Sequence, residues 1–366
     1  MGNASFASNN TVVVDDKILH FKKAVIATGA RAARLSIPGI EEAGYLTNET
    51  VFSLTQRPQR LAVIGGGPIG CELAQAFRRL GCEVVLFHRG SHILNKEDAD
   101  AAEIVQNVFI QEGIRLVLNC QMQRVEKTIE GKKIYFTCNG REDSVTVDEI
   151  LAGAGRVPNV EGLDLETVGV EYDQQRGVMV NDYLQTTNPK IYAAGDICMN
   201  WKFTHAADAA ARIVIKNTLF SPFGLGRYKL SNLVMPWVTY TDPEIAHVGM
   251  YEQQAQEKGI DVNTIKIPFS SVDRAIADGE DGFVKILHKK GSDQILGATI
   301  VARHAGEMIS EVTTAIAHKI GLSKMSSVIH PYPTQVEGIK KAADAYRRTL
   351  LTPKTKCFLG LLTKFS

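Results

Sequence analysis

Two short β-rich runs open the pattern, residues 11–14 (TVVV) and 24–27 (AVIA), and the second runs directly into Thr28-Gly29-Ala30. Ile37-Pro38-Gly39-Ile40 then breaks regular structure, and a polar connection leads to Arg60. Beyond it the apolar spacing becomes strongly β-α-β. Leu61–Ile64 predicts a strand, a glycine cluster follows, Cys71–Leu80 predicts a helix stopped by Gly81, and Glu83–Phe87 predicts the next strand. A second helix is predicted over Ala99–Glu112, then strands over roughly Arg115–Val125, Lys133–Thr137 and Asp148–Ala154. Residues 191–194 (IYAA) read as a strand ending in Gly195-Asp196-Ile197, with a helix near Ala206–Leu219.

The last third changes character. From about Ser231 the runs VTYT, FVKILH and ILGATIVA alternate with helical patterns at Ala305–Ile320 and Val336–Arg347, which predicts an α+β domain around an antiparallel sheet. The tail Cys357–Phe365 is apolar with a single Lys, a pattern compatible with a membrane surface or with a neighbouring subunit.

Composition narrows the classes. With 366 residues, two or three domains are expected. Lys plus Arg number 41 against 40 for Asp plus Glu, so no bulk positive field exists to hold nucleic acid. No stretch is apolar enough for a membrane span and no signal peptide is recognisable. The six cysteines, Cys71, Cys82, Cys120, Cys138, Cys198 and Cys357, have neither CxxC nor zinc spacing, and most of them read as buried thiols of a cytoplasmic protein without a metal site.

The chemistry concentrates at Gly65-Gly66-Gly67-Pro68-Ile69-Gly70. In the strand–glycine–helix context, Gly65 permits the tight turn, Gly67 lets backbone approach a pyrophosphate, and Gly70 allows close helix–strand packing. Ile69 belongs to the same loop, and the helix N-terminus points unpaired N–H groups at phosphate. An acidic residue at the end of the next strand would bind the ribose of NAD, whereas this chain has His88 and Arg89 there. A cation suits the 2′-phosphate of NADP, so NADP is favoured over NAD.

The order of further blocks, ATGA at 27–30, GRVPN at 155–159, AAGDI at 193–197, TDPEIAHVG at 241–249 and YPTQVEG at 332–338, resembles the flavoprotein pyridine nucleotide-disulfide oxidoreductases, and within them the mercuric-reductase-like branch. That resemblance implies an α/β fold in which a Rossmann-type NAD(P)-binding domain (56–155) is inserted in an incomplete FAD-binding domain (1–55 and 156–228). An α+β dimerisation domain (229–366) follows, through which the chain would form a homodimer. It implies FAD contacts at Thr28, Gly29, Gly155, Asp196, His205 and Ala207, with Asp196 accepting a hydrogen bond from the ribityl chain. It also implies that Glu72 lies beside the nicotinamide. Bland explanations stand next to these: a helix N-cap for Asp196, a first-turn charge for Glu72, a packed or solvated ring for His205 and a solvated strand end for Arg89.

At the C-terminal block, Glu337 corresponds to the Glu of the family's catalytic His–Glu pair, while Tyr332 takes the His position. A phenol with a pKa near 10 suits contact or hydrogen bonding better than base catalysis. Thr334-x-x-Glu337 is equally a capping box. The family's opening GxGxxG and its redox CxxxxC have no counterpart here, so an N-terminally truncated member is expected. The implied activity is hydride transfer from NADPH to flavin and on to an unspecified small-molecule acceptor. The alternative is a non-catalytic NADPH-binding and dimerising module, or one half of a split flavoprotein.

Overall fold

The computed structural model describes residues 2–353, 355 and 360. The chain forms two compact units, Met1–Leu35 with Ala154–Leu233, and Ser36–Gly153 with Val234–Ser366. The apolar tail from Cys357 lies outside the described residues except for Gly360.

The first unit is assembled from small sheets. A three-stranded antiparallel meander (Ala4–Ser8, Thr11–Val14, Lys17–His20) precedes a parallel pair, Ala24–Ile26 with Ile191–Ala193, and an antiparallel pair, Ala30–Ala32 with Arg156–Pro158. The outer two meander strands escape the hydrophobic pattern because each buries at most one side chain. Phe6, Ile26, Val160, Leu165, Val178 and Ile191 supply much of the core. A helix over Thr204–Leu219 completes the unit.

The second unit starts from a parallel sheet ordered Glu149–Ala152, Arg60–Ile64, Glu83–Phe87, Arg115–Val117. Leu61, Ala62, Val63 and Ile64 are all buried, the continuous apolar run expected of a strand covered on both faces. Helices Pro68–Arg79 and Ala99–Gln111 follow the first two sequential strands. The single strand expected over Arg115–Val125 is two, Arg115–Val117 and Cys120–Thr128, because the chain corners at Asn119, which has φ 50°. The second piece leaves the parallel sheet and joins Gly131–Cys138 and Arg141–Val147 in an antiparallel one.

The C-terminal part of this unit is a five-stranded antiparallel sheet, ordered Pro236–Thr239, Glu244–Gly249, Ile295–Ala302, Phe283–Lys289, Val262–Pro268. Helices Ala305–Ala317 and Glu337–Thr349 pack through Ile309, Val312, Ile339 and Ala342 into its core. Its other face shares a core with the parallel-sheet region, where Ile245, Phe283 and Val301 join Leu61, Val105 and Phe109. The parallel-sheet and C-terminal segments therefore form one packed body.

Candidate functional site

The glycine turn follows directly from the strand that enters it. Arg60–Ile64 ends at Gly65 with φ 120°, a value open to glycine and strained for other residues. Gly67 is the N-cap of the Pro68–Arg79 helix, with Pro68 at its first position, where the missing N–H costs no helical bond. The helix thus begins three residues earlier than the apolar spacing predicts, and Ile69 lies half-buried in its first turn. A Cβ on Gly70 would lie 1.9 Å from the Gly65 carbonyl oxygen, so only glycine permits this approach of helix to turn. A Cβ on Gly67 would meet nothing within 4 Å. The N-terminus of the helix is left open in front.

At the end of Glu83–Phe87 the half-buried His88 turns back onto the glycine loop. Its Nδ1 accepts the Gly66 N–H at 3.1 Å, which places the ring proton on Nε2, a buried atom without a hydrogen-bond partner. Burial pushes the His88 pKa below the ordinary value, with His92 adding to the effect, which agrees with a neutral ring in the acceptor role. Arg89 is exposed beyond the strand end and forms no ion pair among the described residues.

Glu72 sits in the second turn of the helix, so its first-turn explanation falls. Its Oε1 instead accepts the Tyr240 N–H at 2.9 Å, and burial pushes its carboxyl above the usual range despite that bond. Tyr240 immediately precedes the TDPEIAHVG block, which docks on the same helix. Gln75, 3% exposed, donates from Nε2 to the Asp242 carbonyl at 2.8 Å and accepts the Asp242 N–H at 2.7 Å. Arg79 pairs with Asp242 and with Glu112. Glu244, whose carboxyl is likewise raised by burial, accepts the Gly306 N–H at 2.8 Å. Tyr240, Gln75 and Asp242 were not singled out in the sequence; a polar residue every three to four positions along the apolar helix was the available signal.

In the first unit, Thr28 and Gly29 lock onto the GRVPN block. Thr28 Oγ1 donates to the Asn159 carbonyl at 2.9 Å, Asn159 Nδ2 donates to the Thr28 carbonyl at 2.9 Å, and the Asn159 N–H reaches the Gly29 carbonyl at 3.0 Å. Gly29 and Gly155 both need positive φ, 68° and 110°. Asp196 caps no helix, since the next one starts at Thr204; buried itself, it pairs with the half-buried Arg156 at 2.5 Å. The Arg156 Nε is buried and has no hydrogen-bond partner. Ala207 approaches Gly195, where a Cβ would lie 3.2 Å from the Ala207 Cβ. His205 is exposed and stacks on Phe203 at 5.3 Å and 4°.

Tyr332 is 71% exposed, and its hydroxyl donates to Asp273 Oδ2 at 2.9 Å, a bond that raises the phenol pKa. Glu337 begins the Glu337–Thr349 helix, whose N-cap is Val336, and no side-chain cap bond forms there. The capping box expected from Thr334-x-x-Glu337 is therefore absent: Thr334 Oγ1 turns to the Pro331 carbonyl at 2.7 Å instead. One Glu337 oxygen meets Lys341 at 3.3 Å and the other is buried without a partner. The imidazole of the segment is His330, held by both oxygens of Glu311 at 3.0 Å. Sequence reading passed over this His–Glu pair because the two residues stand 19 positions apart.

Residues 1–211 match the pyridine nucleotide-disulphide oxidoreductase family, and residues 235–343 match the pyridine nucleotide-disulphide oxidoreductase dimerisation domain. The chain belongs to this family. A mercuric reductase of Staphylococcus aureus is 37% identical over 360 residues, which cover 98% of this chain and 65% of the relative. A dihydrolipoyl dehydrogenase of Thermus scotoductus is 32% identical over 357 residues, 95% of this chain and 75% of its own length. Among solved structures, the HOCl-induced flavoprotein disulfide reductase RclA from Escherichia coli superposes with a TM-score of 0.84 at 26% identity, over 94% of this chain and 78% of RclA. This pyridine nucleotide-disulphide oxidoreductase chain spans 65% of the Staphylococcus relative and 56% of a Bacillus cereus mercuric reductase. Both the oxidoreductase fold and the attached dimerisation domain agree with the architecture expected from the sequence. Among the described residues no helix is long and apolar enough to cross a membrane.

Proposed function

We propose that this chain serves an FAD-dependent NAD(P)H oxidoreductase of the mercuric-reductase-like branch, in which NADPH gives hydride to flavin. The observation that carries the nicotinamide half is the open helix N-terminus behind Gly67, made possible by the contact of Gly70 with the Gly65 carbonyl. Gly65, Gly67, Ile69 and Gly70 would cradle the pyrophosphate, Arg89 would meet the 2′-phosphate, and Glu72 would stand beside the nicotinamide.

For FAD, the fitting observation is the Arg156–Asp196 pair, in which Asp196 is buried and the buried Arg156 Nε is unpartnered, leaving a polar donor and a carboxylate for a ligand. Thr28, Gly29, Gly155, Asp196, His205 and Ala207 would hold the flavin and ribityl portion. When bound, FAD supplies the two-electron acceptor that no side chain here provides. Burial pushes the Glu72 carboxyl up and the His88 imidazole down, Tyr332 offers a hydroxyl, and Glu337 offers a buried carboxylate oxygen for proton handling at the acceptor side. Domain limits near 56, 156 and 229, a homodimer formed through the C-terminal domain, and a cytoplasmic setting for the thiols complete the proposal.

The test is direct titration of the purified chain with NADPH and NADH, beside an absorption spectrum for flavin. Flavin bands and tighter NADPH binding support the reading, and an Arg89→Glu variant should lose most of the preference. Tighter NADH binding would overturn the NADP assignment. A second reading, an NADPH-binding and dimerising module or half of a split flavoprotein, rests on the single GxGxxG loop of the chain. Nucleotide binding without flavin bands would select it.

A further inference from the structure

The register of one hairpin brings together two cysteines that sequence spacing keeps 18 positions apart. Gly131–Cys138 turns into Arg141–Val147 through Asn139 (φ 50°) and Gly140 (φ 76°), the two left-handed residues of a two-residue hairpin turn. Cys138 and Arg141 close that turn, so the Cys138 amide and carbonyl face Arg141. On its other side Cys138 is paired with Cys120 of Cys120–Thr128, and there it has no backbone groups left to exchange. The Cys120 N–H agrees, because it leaves the strand and donates to the His88 carbonyl at 3.3 Å. Cys120 and Cys138 are thus a non-hydrogen-bonded antiparallel pair, the closer of the two kinds, with Cα atoms about 4.5 Å apart and side chains on one face. That separation lies within the range a disulfide spans, roughly 4.4–6.8 Å.

Both thiols point at the same corner. Cys120 Sγ donates to the Val117 carbonyl at 3.2 Å and Cys138 Sγ to the neighbouring Leu118 carbonyl at 3.2 Å. Their access differs. Cys120 is 5% exposed and burial pushes its thiol up, whereas Cys138 is half-buried and lines a surface cleft of ≈ 450 Å³ with Arg115, Asn119, Phe136, Arg141 and Asp143. One thiol lines an open cleft and the second is buried behind it, an arrangement suited to an attacked and a resolving cysteine.

We propose that Cys120 and Cys138 form a reversible thiol–disulfide site, independent of the flavin and nicotinamide reading, whose oxidant is a small hydroperoxide entering the cleft at Cys138. In the first step the Cys138 sulfur attacks the terminal peroxide oxygen: an S–O bond forms, the O–O bond breaks, and the other oxygen departs as water, or as the alcohol of an alkyl hydroperoxide, carrying the proton that the Cys138 thiol gives up. In the second, the Cys120 sulfur attacks the Cys138 sulfenic sulfur: the S–S bond forms, the S–O bond breaks, and the sulfenic oxygen leaves as water with the Cys120 proton. Two thiols lose two electrons and one hydroperoxide is reduced.

Peptide mapping of the full chain under non-reducing conditions, before and after exposure to hydrogen peroxide, tests this. The expected product is a linked Cys120–Cys138 peptide pair two hydrogens lighter than the thiols, which dithiothreitol releases. In a Cys120→Ser variant the linked pair should vanish and dimedone should capture a sulfenic acid on Cys138. Sulfinic acid at Cys138 without a cross-link, a disulfide from either cysteine to Cys357 or to a second chain, or two unmodified thiols at a peroxide level that oxidises free glutathione would each overturn it.

Discussion

A Cβ added to Gly70 meets the Gly65 carbonyl oxygen at 1.9 Å and the Gly65 carbonyl carbon at 3.0 Å, and neither is a side chain that can swing aside. Gly70→Ala should therefore cost about 3 kcal/mol of stability, the upper part of the range for overpacking, and lower the urea midpoint measurably. Gly67→Ala is the control at the same loop. Its Cβ enters open space at φ −83°, so stability should stay within about 0.5 kcal/mol, while NADPH affinity falls because the methyl group stands where the pyrophosphate would approach. Equal destabilisation by the two variants would contradict the packing argument. Glu72 gives a second residue-scale expectation with a definite sign. Burial raises its pKa, so the native state holds a proton that the unfolded chain has released, and stability is lost as pH rises through the ordinary carboxylate range toward the raised value. Glu72→Gln keeps an oxygen for the Tyr240 N–H and carries no charge to bury. The variant should match the parent at low pH and become the more stable of the two as pH rises, a gap read from paired denaturation curves; a gap that narrows with pH would refute the burial assignment.

At the scale of elements, the joint between the glycine-loop helix and the C-terminal sheet rests on a few fully engaged polar groups. Gln75→Leu preserves bulk and removes both partners of the Asp242 backbone, leaving one N–H and one carbonyl buried beside it. Two such groups at about 1–3 kcal/mol each predict a loss of roughly 2–6 kcal/mol, read by urea unfolding. In the sheet itself, His247 is held neutral between Thr299, at 2.9 Å from Nδ1, and the Tyr251 ring, with Lys285 nearby, and burial pushes its pKa down to about 3. The unfolded chain takes up this proton near pH 6.5 and the native state does not, so stability is complete above that value and drains away as pH falls toward 3. His247→Gln should flatten the acid limb of the stability curve relative to the parent by an amount bounded at roughly 5 kcal/mol. The same scale explains what could be read in advance. Glu83–Phe87 and Ile295–Ala302 were legible to the residue because dense β-branched runs bounded by turn residues leave one solution. The break at Asn119 and the pairing of Cys120 with Cys138 were not, since register depends on which strand a segment leaves and joins. The Thr334–Glu337 box failed for a related reason: a four-residue motif specifies a cap only if the backbone places Thr at the cap, and here Val336 occupies it.

For the whole molecule, the division of candidate residues between two units makes ligand binding separable. Gly65, Gly67, Ile69, Gly70, Glu72 and Arg89 all belong to the unit of Ser36–Gly153 and Val234–Ser366, whereas Thr28, Gly29, Gly155, Asp196, His205 and Ala207 belong to the other. A ligand stabilises whatever native structure it binds by RT ln(1 + [L]/Kd), about 2.7 kcal/mol at a hundredfold excess over Kd. Local opening reports that stabilisation only where the opening breaks the site. NADPH at saturation should therefore slow amide exchange in Arg60–Ile64, Pro68–Arg79 and Glu83–Phe87, and leave Ala24–Ile26 and Ile191–Ala193 unchanged. Added FAD should slow exchange in the latter pair and in Thr204–Leu219. Because the C-terminal sheet shares its core with the parallel sheet, protection by NADPH should extend into Glu244–Gly249, which holds Ile245 in that core. Protection confined to the glycine loop would mean that the joint at Gln75 and Asp242 opens independently of the nucleotide. Protection by NADPH of the Thr28–Asn159 region, with none at the glycine loop, would place the nucleotide in the wrong unit and remove the basis for assigning Gly65–Gly70 to it.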